Sequence, residues 1–396
     1  MPDILLVGWD DVSASEATAS VCPRLASFRD EAYETKAFSH PVCSQSRAAI
    51  LFGVFGKKLG TWKDIGTQIV TATTPPASLP TLPGSLRSAG YSTCLVGKWH
   101  CGPAPSGEHW AWGPYERGYD AWLAGTRLNL NSGSSTDYTD WQRVDADAGQ
   151  SFSVQENASQ YATLAQIDAA YAWWNGTQGG RRFMHVALNA PHGPLHAPPA
   201  SLLAGWPQPG FGASNRTKYL AMLRSADTAF GQLLDLVGPE AAVFLYSDNG
   251  TSKQSAAATV NPDHTKETTF DPGIRVLTLG RWGNNPVGFY DTLTHLVDIP
   301  SGVLAAAGVA PPVSWDSRTT GRTYILSEAE LSSGAIDRCA RTVSHKLRQI
   351  TTEAEACEEL YDLTEDPDEE TPLSLDDPAN FAVLDYLRAK LNAAAI

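Results

Sequence analysis

Two residues in the stretch PVCSQSRAAILFG, Cys43 and Arg47, have types and a spacing that could do chemistry. The apolar residues after Cys43 recur at helical spacing, which predicts that the cysteine opens a helix. The unpaired N–H groups and positive dipole at a helix N-terminus favour an anion. Arg47 follows one helical turn later on the same face, so its guanidinium could reach the group that Cys43 faces. The pattern predicts an oxyanion site beside a nucleophile, although a buried thiol and a surface cation would look the same.

Two oxygen-rich pairs each end a predicted buried strand. Asp10 and Asp11 follow the run DILLVGW, and Asp248 and Asn249 follow the run AAVFLYS. Neighbouring carboxylates at a strand end are costly unless a cation compensates them, and ligands of open α/β sheets bind at that end. Four oxygen ligands suit Ca²⁺ or Mg²⁺ better than zinc. A solvated turn or a helix cap is the alternative role for the first pair.

Basic residues accompany three further predicted strands. Lys98 and His100 lie at the end of one predicted strand. Side chains two positions apart in an extended segment point to the same side. A fixed cation beside a titratable base suits the binding and processing of one anion. His192 follows the next strand as a candidate general acid, and Lys266 precedes the last one. Any one of these residues taken alone is equally well explained by structure.

Alternating strands and helices must position these residues. The predicted strands are 3–9, 34–39, 91–102, 182–189, 241–250 and 274–279. The predicted helices are 22–33, 83–90, 158–174, 214–237 and 290–307, together with the helix that opens at Cys43. Strands that alternate with helices are typical of an α/β sheet, whose one edge would gather all five sets of polar strand ends.

The regions outside this core carry weaker signals. Residues 65–83 are rich in Thr and Pro and are interpreted as a loop. The stretch 101–155 is predicted to be irregular, and its many aromatic residues could wall a pocket or form a small core. We expect a catalytic domain at 1–310 and a small C-terminal subdomain at 311–396, with an antiparallel sheet and a last helix at 377–393. That subdomain shows no cluster of chemical residues and is interpreted as a packing appendage.

The overall composition limits the choice of partner and compartment. The chain has 396 residues and a formal net charge of −14, which disfavours nucleic acid and anionic membrane surfaces. No apolar run reaches membrane-spanning length, and the N-terminus lacks the features of a signal peptide, so cytoplasmic residence is the expectation. The six cysteines are too few for a disulfide framework and are expected to be free thiols. Oligomeric state is unknown from the sequence.

Five strand ends that converge on one edge predict a metal-assisted hydrolase acting on a tetrahedral oxyanion ester. The stretch at residue 43 also resembles the signature C-x-P-S-R followed by L-x-G of the type I, formylglycine-dependent sulfatases, members of the alkaline phosphatase-like superfamily. The matching residues are Cys43, Ser46, Arg47, Leu51 and Gly53. Gln45 stands where the signature has proline, and the enzyme that oxidises the cysteine to formylglycine reads this short motif in the unfolded chain.

Further stretches in the same order resemble other parts of that family. They are VGWDDV, VCPRLASF, GKWHCG, GPYERGYDAWLAG, APHGPLHAP, SDNG, KETTFDPGIRV, DTLTHLVDIPSGVLAAAG and ELYDLTEDPDEE. The resemblance implies a large mixed, mostly parallel sheet flanked by helices, with a small C-terminal antiparallel-sheet subdomain. It also implies a sulfuric ester hydrolase whose partners are a small-molecule sulfate ester and, during maturation, the formylglycine-generating enzyme.

The resemblance assigns roles residue by residue. The implied Ca²⁺ ligands, with Mg²⁺ as the alternative ion, are Asp10, Asp11, Cys43 as formylglycine, Asp248 and Asn249. The implied catalytic residues are Cys43, Arg47, Lys98, His100, His192 and Lys266. Arg47 and Lys98 would stabilise the modified residue and the sulfate, and His192 or Lys266 would protonate the departing alcohol. His100 would then remove a proton from the second hydroxyl of the aldehyde hydrate, so that sulfate leaves without water attacking sulfur.

Two other functions stay open at this point. A phosphate or phosphonate monoester hydrolase of the same superfamily would use a similar site, although Lys98, His100 and Lys266 favour sulfate. A non-catalytic, sulfatase-like binding protein with an unmodified Cys43 is the second alternative, and Gln45 motivates it. The sequence does not indicate whether the alcohol part of the substrate is aryl, alkyl or sugar.

Overall fold

A computed structural model describes residues 1–59, 78–102, 104, 106–107, 109–147, 151–330 and 334–393. A large sheet runs through the first three-quarters of the chain. Its strands are β1 (Ile4–Trp9), β2 (Tyr33–Phe38), β3 (Tyr91–Lys98), β4 (Ala121–Thr126), β5 (Trp141–Asp147), β6 (Ser151–Ala158), β7 (Arg181–Ala187), β8 (Ala242–Ser247), β9 (Arg275–Val276), β10 (Thr278–Arg281) and β11 (Gly288–His295).

The order of strands across the sheet brings the predicted site together. The order is β11-β2-β10-β8-β1-β7-β3-β4-β5-β6, and the short β9 pairs with β2. β1 is parallel to both β7 and β8, and β3 is parallel to β7, whereas β10 is antiparallel to β8. The five strands that carry or adjoin the predicted site residues are therefore consecutive neighbours. This arrangement confirms the prediction of a mixed, mostly parallel α/β sheet.

Helices cover both faces of the large sheet. They are α1 (Pro23–Arg29), α2 (Cys43–Phe52), α3 (Leu82–Ser88), α4 (Gly113–Glu116), α5 (Ala162–Gly176), α6 (Asn215–Val237), α7 (Asp271–Ile274) and α8 (Ile299–Ala306). The cluster on one face draws on α1, α5 and α6, and the cluster on the other draws on α2, α3 and α8.

The central strand β1 shows why its sequence must lie in the middle of the sheet. All six of its residues are fully buried. Leu5, Val7 and Trp9 belong to the core of one face, while Ile4 and Leu6 belong to the core of the other. Complete burial of one such side chain contributes about 1.5–3 kcal/mol, so a strand that is apolar on both sides is stable only between two layers of helices.

A second, smaller sheet forms most of the C-terminal part. Its antiparallel strands are β12 (Ile325–Glu330), β13 (Ile336–Arg341), β14 (His345–Thr351) and β15 (Ala356–Asp362), in that spatial order. Helix α9 (Phe381–Ala393) packs on it through a small leucine-rich core. The predicted antiparallel sheet and final helix are confirmed, and the domain division at residue 310 stays a prediction. Across the described ranges, no helix combines the length and apolar character needed to cross a bilayer.

Several local predictions were wrong. Residues 290–295 of the predicted helix 290–307 belong to the strand β11 (Gly288–His295), which pairs in parallel with β2, and only Ile299–Ala306 is α-helical. The residues GFYDTLTH are rich in aromatic and β-branched types, which suit a sheet edge. The stretch 101–155 contains β4, β5 and most of β6 rather than an irregular segment. Most of the predicted loop 65–83 lies outside the described residues, and its last two residues begin α3.

The aromatic residues of that stretch differ in burial. Trp122, Tyr138 and Trp141 are almost completely buried in the hydrophobic cores. Tyr115, by contrast, is exposed, and Trp110 is only partly buried. The first three therefore serve packing, and the structure does not assign them to a pocket wall.

Candidate active site

Cys43 is the first residue of helix α2, as predicted. Val42 before it is extended, and the whole helix is buried between the large sheet and its neighbours. The Cys43 Sγ atom lies 3.2 Å from Nδ1 of His100. The side chain at position 43 thus stands at the positive end of a helix and within contact of a titratable base.

Arg47, one turn further along α2, links the two acidic strand ends. Its Nε donates a hydrogen bond to Asp248 Oδ2 at 2.9 Å, and its Nη2 lies 2.8 Å from the same oxygen. The same Nη2 donates to Asp10 Oδ2 at 3.3 Å. The carboxylates from the ends of β1 and β8 therefore meet around one buried guanidinium, although 238 positions separate them in the chain.

Two lysines, the buried Lys98 and the mostly buried Lys266, complete the charge balance. Lys98 Nζ lies 2.5 Å from Asp10 Oδ2, and Lys266 Nζ lies 2.6 Å from Asp11 Oδ1. Asn249 donates from Nδ2 to Asp11 Oδ1 at 2.7 Å. Three carboxylates thus face three fixed cations, and the site is close to neutral before it binds anything.

The carboxylates Asp10 and Asp248 titrate differently because their cationic neighbours differ. Burial alone would raise the pKa of Asp10, but Lys98, His192 and Arg47 together lower it well below its ordinary value. Burial and the charge of Asp10 raise the pKa of Asp248 to about 6, against the effect of Arg47. Two like charges that share one arginine resist ionising together, and a bound divalent cation relieves such a repulsion.

The residues present fit a hard divalent cation. Asp10 Oδ1 and Asn249 Oδ1 are buried, and neither accepts a hydrogen bond from the residues that the structure describes. Both atoms belong to the predicted ligand set, and a buried oxygen without a partner is unfavourable unless something else binds it. Oxygen ligands of this kind suit Ca²⁺ or Mg²⁺.

His192 lies in the same cluster. Ligand atoms of Asp10, Asp11 and His192 all lie within 4.8 Å of one another, and His192 Nε2 is 3.8 Å from Asp11 Oδ2. Burial lowers the pKa of His192 despite the nearby carboxylate of Asp11. The structure therefore brings the predicted proton donor to the predicted metal ligands.

His100 reaches the site by a different route from the predicted one. β3 ends at Lys98, and His100 has a positive φ of 50°, in the left-handed region. Its main-chain N–H donates to Arg127 O at 3.1 Å, in the segment after β4. Lys98 and His100 both face the site, but strand alternation is not the reason, since the chain turns between them.

Three contacting residues were not predicted from the sequence. Tyr219 on α6 donates its hydroxyl to the carbonyl of Asp11 at 2.9 Å, and it lies 3.0 Å from the Thr251 hydroxyl. The Tyr138 hydroxyl donates to the carbonyl of His192 at 2.8 Å. Of these three residues, only Thr251 had a local signal in the sequence, because it directly follows Asp248, Asn249 and Gly250.

Gln45 is almost completely buried in the first turn of α2. Proline is tolerated in that turn because its missing N–H would have no intrahelical partner there. The exchange of proline for glutamine is therefore compatible with the helix.

Comparison with known proteins identifies the family. A sequence model of the Sulfatase family matches residues 2–309. N-acetylgalactosamine-6-sulfatase of Homo sapiens is 28% identical in a gapped alignment of 345 positions, which covers 78% of this chain and 63% of that protein. Arylsulfatase G of Rattus norvegicus is 25% identical in a gapped alignment of 455 positions, which covers 95% of this chain and 83% of that protein. The chain belongs to the sulfatase family, and it spans a little under two-thirds of the N-acetylgalactosamine-6-sulfatases that it matches.

Solved structures share the fold at low sequence identity. Ps i-CgsB in complex with k-i-k-neocarrahexaose has a TM-score of 0.79 at 19% identity, covering 99% of this chain and 92% of the other. The PsFucS1 sulfatase from Pseudoalteromonas sp. has a TM-score of 0.75 at 17% identity, with 94% and 85% covered. BT4656 in complex with its substrate D-glucosamine-2-N,6-O-disulfate has a TM-score of 0.74 at 16% identity, with 99% and 97% covered. These likenesses confirm the architecture of both sheets.

Proposed function

We propose that this protein is a sulfatase that hydrolyses the sulfate monoester of a small alcohol, with a sugar as the favoured alcohol. The observation that carries the proposal is the meeting of Asp10 and Asp248 around Arg47, beside Cys43 at the start of α2. Family membership supports the reaction class, and the sugar sulfates in the names of several relatives support the substrate class.

The proposed metal ligands are Asp10, Asp11, Asp248 and Asn249, together with the modified residue at position 43. A bound Ca²⁺ would give the otherwise neutral site a charge of plus two, which favours a sulfate group, and would lower the pKa of a hydroxyl bound to it. Formylglycine derived from Cys43 would supply, as its hydrate, a nucleophilic hydroxyl and a second one that allows the sulfated residue to release sulfate.

Two basic side chains hold the reacting sulfate in this proposal. Arg47 and Lys98 are buried cations that both contact Oδ2 of Asp10, and both keep their charge because nearby carboxylates raise their pKa values against the effect of burial. Charged donors that are already oriented in a buried site stabilise the negative charge on sulfate oxygens without reorganisation. The helix dipole of α2 acts in the same direction.

Proton transfer falls to the remaining three residues. His192 and Lys266 both approach the Asp11 carboxylate, at 3.8 and 2.6 Å, so either can protonate the alcohol oxygen as the S–O bond breaks. His100 lies against position 43 and would remove the proton from the second hydroxyl there. The two proton tasks are thus assigned to opposite sides of the reacting group.

The proposal is tested with purified protein and parallel substrates. Sulfate release from 4-nitrophenyl sulfate and from a panel of monosaccharide sulfates is compared with phosphate release from 4-nitrophenyl phosphate, with and without Ca²⁺. We expect sulfate release to exceed phosphate release and to depend on the metal. Faster phosphate turnover would replace the proposal with a phosphomonoesterase.

The alternative of a non-catalytic binding protein rests on Gln45, which departs from the modifying enzyme's motif. Mass spectrometry of the peptide that contains position 43 distinguishes the two, since formylglycine and cysteine differ in mass. We expect formylglycine in active protein when the formylglycine-generating enzyme is co-expressed. An unmodified thiol in protein that still hydrolyses sulfate esters would overturn the formylglycine mechanism.

A further inference from the structure

A buried ion network joins the C-terminal sheet to the segment that carries Lys266. Lys346 on β14 is fully buried, and its Nζ lies 2.7 Å from Asp271 Oδ1 and 2.6 Å from Glu369 Oε1. Arg341 on β13 donates to both oxygens of Asp271, at 3.1 and 2.9 Å. Glu369 Oε2 accepts the main-chain N–H of Asp271 at 2.6 Å. We call Arg341, Lys346, Asp271 and Glu369 the anchor network.

Burial of four charged side chains is costly unless they are paired with one another, so the anchor network indicates a specific contact. Two positive and two negative side chains balance one another, and burial would disfavour Lys346 as a cation if Asp271 and Glu369 did not raise its pKa. Breaking a buried ion pair costs far more than breaking an exposed one, because a charge remains without compensation. The sequence predicts that the C-terminal part of the chain is a packing appendage. It nevertheless makes a specific charged contact with the segment that carries Lys266.

A second contact holds the same segment two residues earlier. Thr269 donates its main-chain N–H to Asp337 Oδ2 at 3.0 Å and its hydroxyl to Asp337 Oδ1 at 2.7 Å. Arg348 fixes that carboxylate from the other side, with Nη2 2.9 Å from Oδ2. Residues 269 and 271 are therefore both held by the C-terminal sheet.

The other end of the segment touches the candidate active site. Besides the contact of Lys266 with Asp11, the main-chain N–H of Lys266 donates to Thr251 O at 3.0 Å. The N–H of Glu267 donates to Pro41 O at 3.1 Å, two residues before Cys43. Glu267 also has a φ of +75°, a conformation that a non-glycine residue keeps only where its surroundings hold it. Residues 266–271 are thus held at both ends of the segment by hydrogen bonds and ion pairs.

We propose that the anchor network is a positioning device through which the C-terminal subdomain holds the Lys266 ammonium group beside the alcohol oxygen of the ester. This inference rests on the proposed sulfatase function. As the S–O bond of the ester breaks, its electron pair stays on the alcohol oxygen, and the Lys266 ammonium donates a hydrogen bond to the negative charge that develops there, while the proton that this oxygen finally takes comes from the donors proposed above. The anchor residues act through Lys266 and are not themselves catalytic.

The test compares two leaving groups in anchor variants. Lys346→Met and Glu369→Gln are assayed on 4-nitrophenyl sulfate, whose phenolate is a good leaving group, and on a sugar sulfate, whose alkoxide must be stabilised by a donor as it leaves. A misplaced donor costs on the order of 100-fold, so we expect kcat on the sugar sulfate to fall about 10- to 100-fold. We expect less than about a threefold change on the aryl sulfate. Lys266→Ala should reproduce this selectivity.

Arg388→Met is the matched control, because it breaks the Arg388–Glu358 salt bridge on the outer surface of the same subdomain. We expect it to leave both rates unchanged. Equal losses on both substrates in the anchor variants, or no loss in folded protein, would overturn the inference. Glu369→Gln preserves the shape of the side chain and one acceptor oxygen, so this variant provides the test if Lys346→Met does not fold.

Failure of the sulfatase function itself has a different signature. If the parent protein releases sulfate from neither ester, hydrogen exchange of the peptide 264–275 still reports on the anchoring. Faster exchange of that peptide in the anchor variants, and not in Arg388→Met, would support the positioning role. Unchanged exchange would refute it whatever the parent's activity.

Discussion

Replacing Arg47 by methionine tests the geometry on which the site depends. The methionine side chain fills similar space but removes the charge that Asp10 and Asp248 share. Arg47 is only 4% exposed, so water cannot replace the guanidinium. The substitution therefore leaves two buried carboxylates on neighbouring strands with Lys98 as their nearest remaining cation.

The magnitude follows from the burial. Removing one partner of a buried, hydrogen-bonded ion pair costs about 3–5 kcal/mol. We expect the free energy of unfolding in EDTA to fall by about that amount, a large part of a typical total of roughly 5–15 kcal/mol. Arg388→Met, which breaks an exposed pair, should cost less than about 1 kcal/mol.

Calcium should act more strongly on the variant than on the parent. A ligand that binds only the folded state stabilises by about 2.7 kcal/mol at 100 times its Kd. Loss of Arg47 leaves the carboxylates more negative, so the Kd for Ca²⁺ should decrease and the stabilisation at a given Ca²⁺ concentration should grow. Urea unfolding followed by tryptophan fluorescence, in EDTA and in Ca²⁺, measures both quantities.

The reasoning would be refuted by an Arg47→Met protein that loses less than about 1 kcal/mol, the range of exposed ion pairs. It would also be refuted if Ca²⁺ stabilised the variant no more than the parent. Either result would mean that Asp10 and Asp248 do not share one charged centre.

Three further outcomes are expected. Cys43→Ala should lower kcat/KM for sulfate esters by at least about 1,000-fold with little change in unfolding, because the nucleophile is lost and a small buried side chain remains. Chelation by EDTA should abolish sulfate release, and either Ca²⁺ or Mg²⁺ should restore it; activity that survives exhaustive chelation would contradict the metal site. His185, whose pKa burial and Arg47 lower to about 3, stays neutral when folded and binds a proton when unfolded below its ordinary pKa of about 6.5. Stability should therefore fall as the pH drops from about 6.5 towards 3, by up to about 1.4 kcal/mol per pH unit for this group, and His185→Gln should flatten that slope in urea titrations.

The strand ends were predictable because their pattern is local. A continuous apolar run that stops at polar residues marks both a buried strand and the position where it ends, as with Asp10 after β1 and Asp248 after β8. The rule that ligands bind beyond the carboxyl ends of parallel strands then brings those residues together without any knowledge of their contacts. Most of the candidate site was therefore available from the sequence.

Features that depend on contacts between distant residues, or on the backbone conformation of one residue, were not predictable from the sequence. The turn at His100 requires a positive φ that no neighbouring residue signals. The edge strand β11 was interpreted as helix because its register is set by β2, more than 250 positions away. Asp271 meets Lys346 and Glu369 at separations of 75 and 98 residues, and scattered single charges carry no periodicity.

The pairing of β1 has a consequence for synthesis of the chain on the ribosome. Its two neighbours, β7 and β8, are at residues 181–187 and 242–247. The hydrophobic first strand therefore has no partner until nearly half of the chain has been synthesised, and it lacks its second partner until β8 follows. At about 5–20 residues per second, that interval lasts roughly 10 to 50 seconds. A nascent chain in this state exposes an aggregation-prone segment, and slower, cooler expression with chaperones should raise the yield. If Cys43 is oxidised as proposed, the same interval would give the modifying enzyme access to the thiol before α2 is buried.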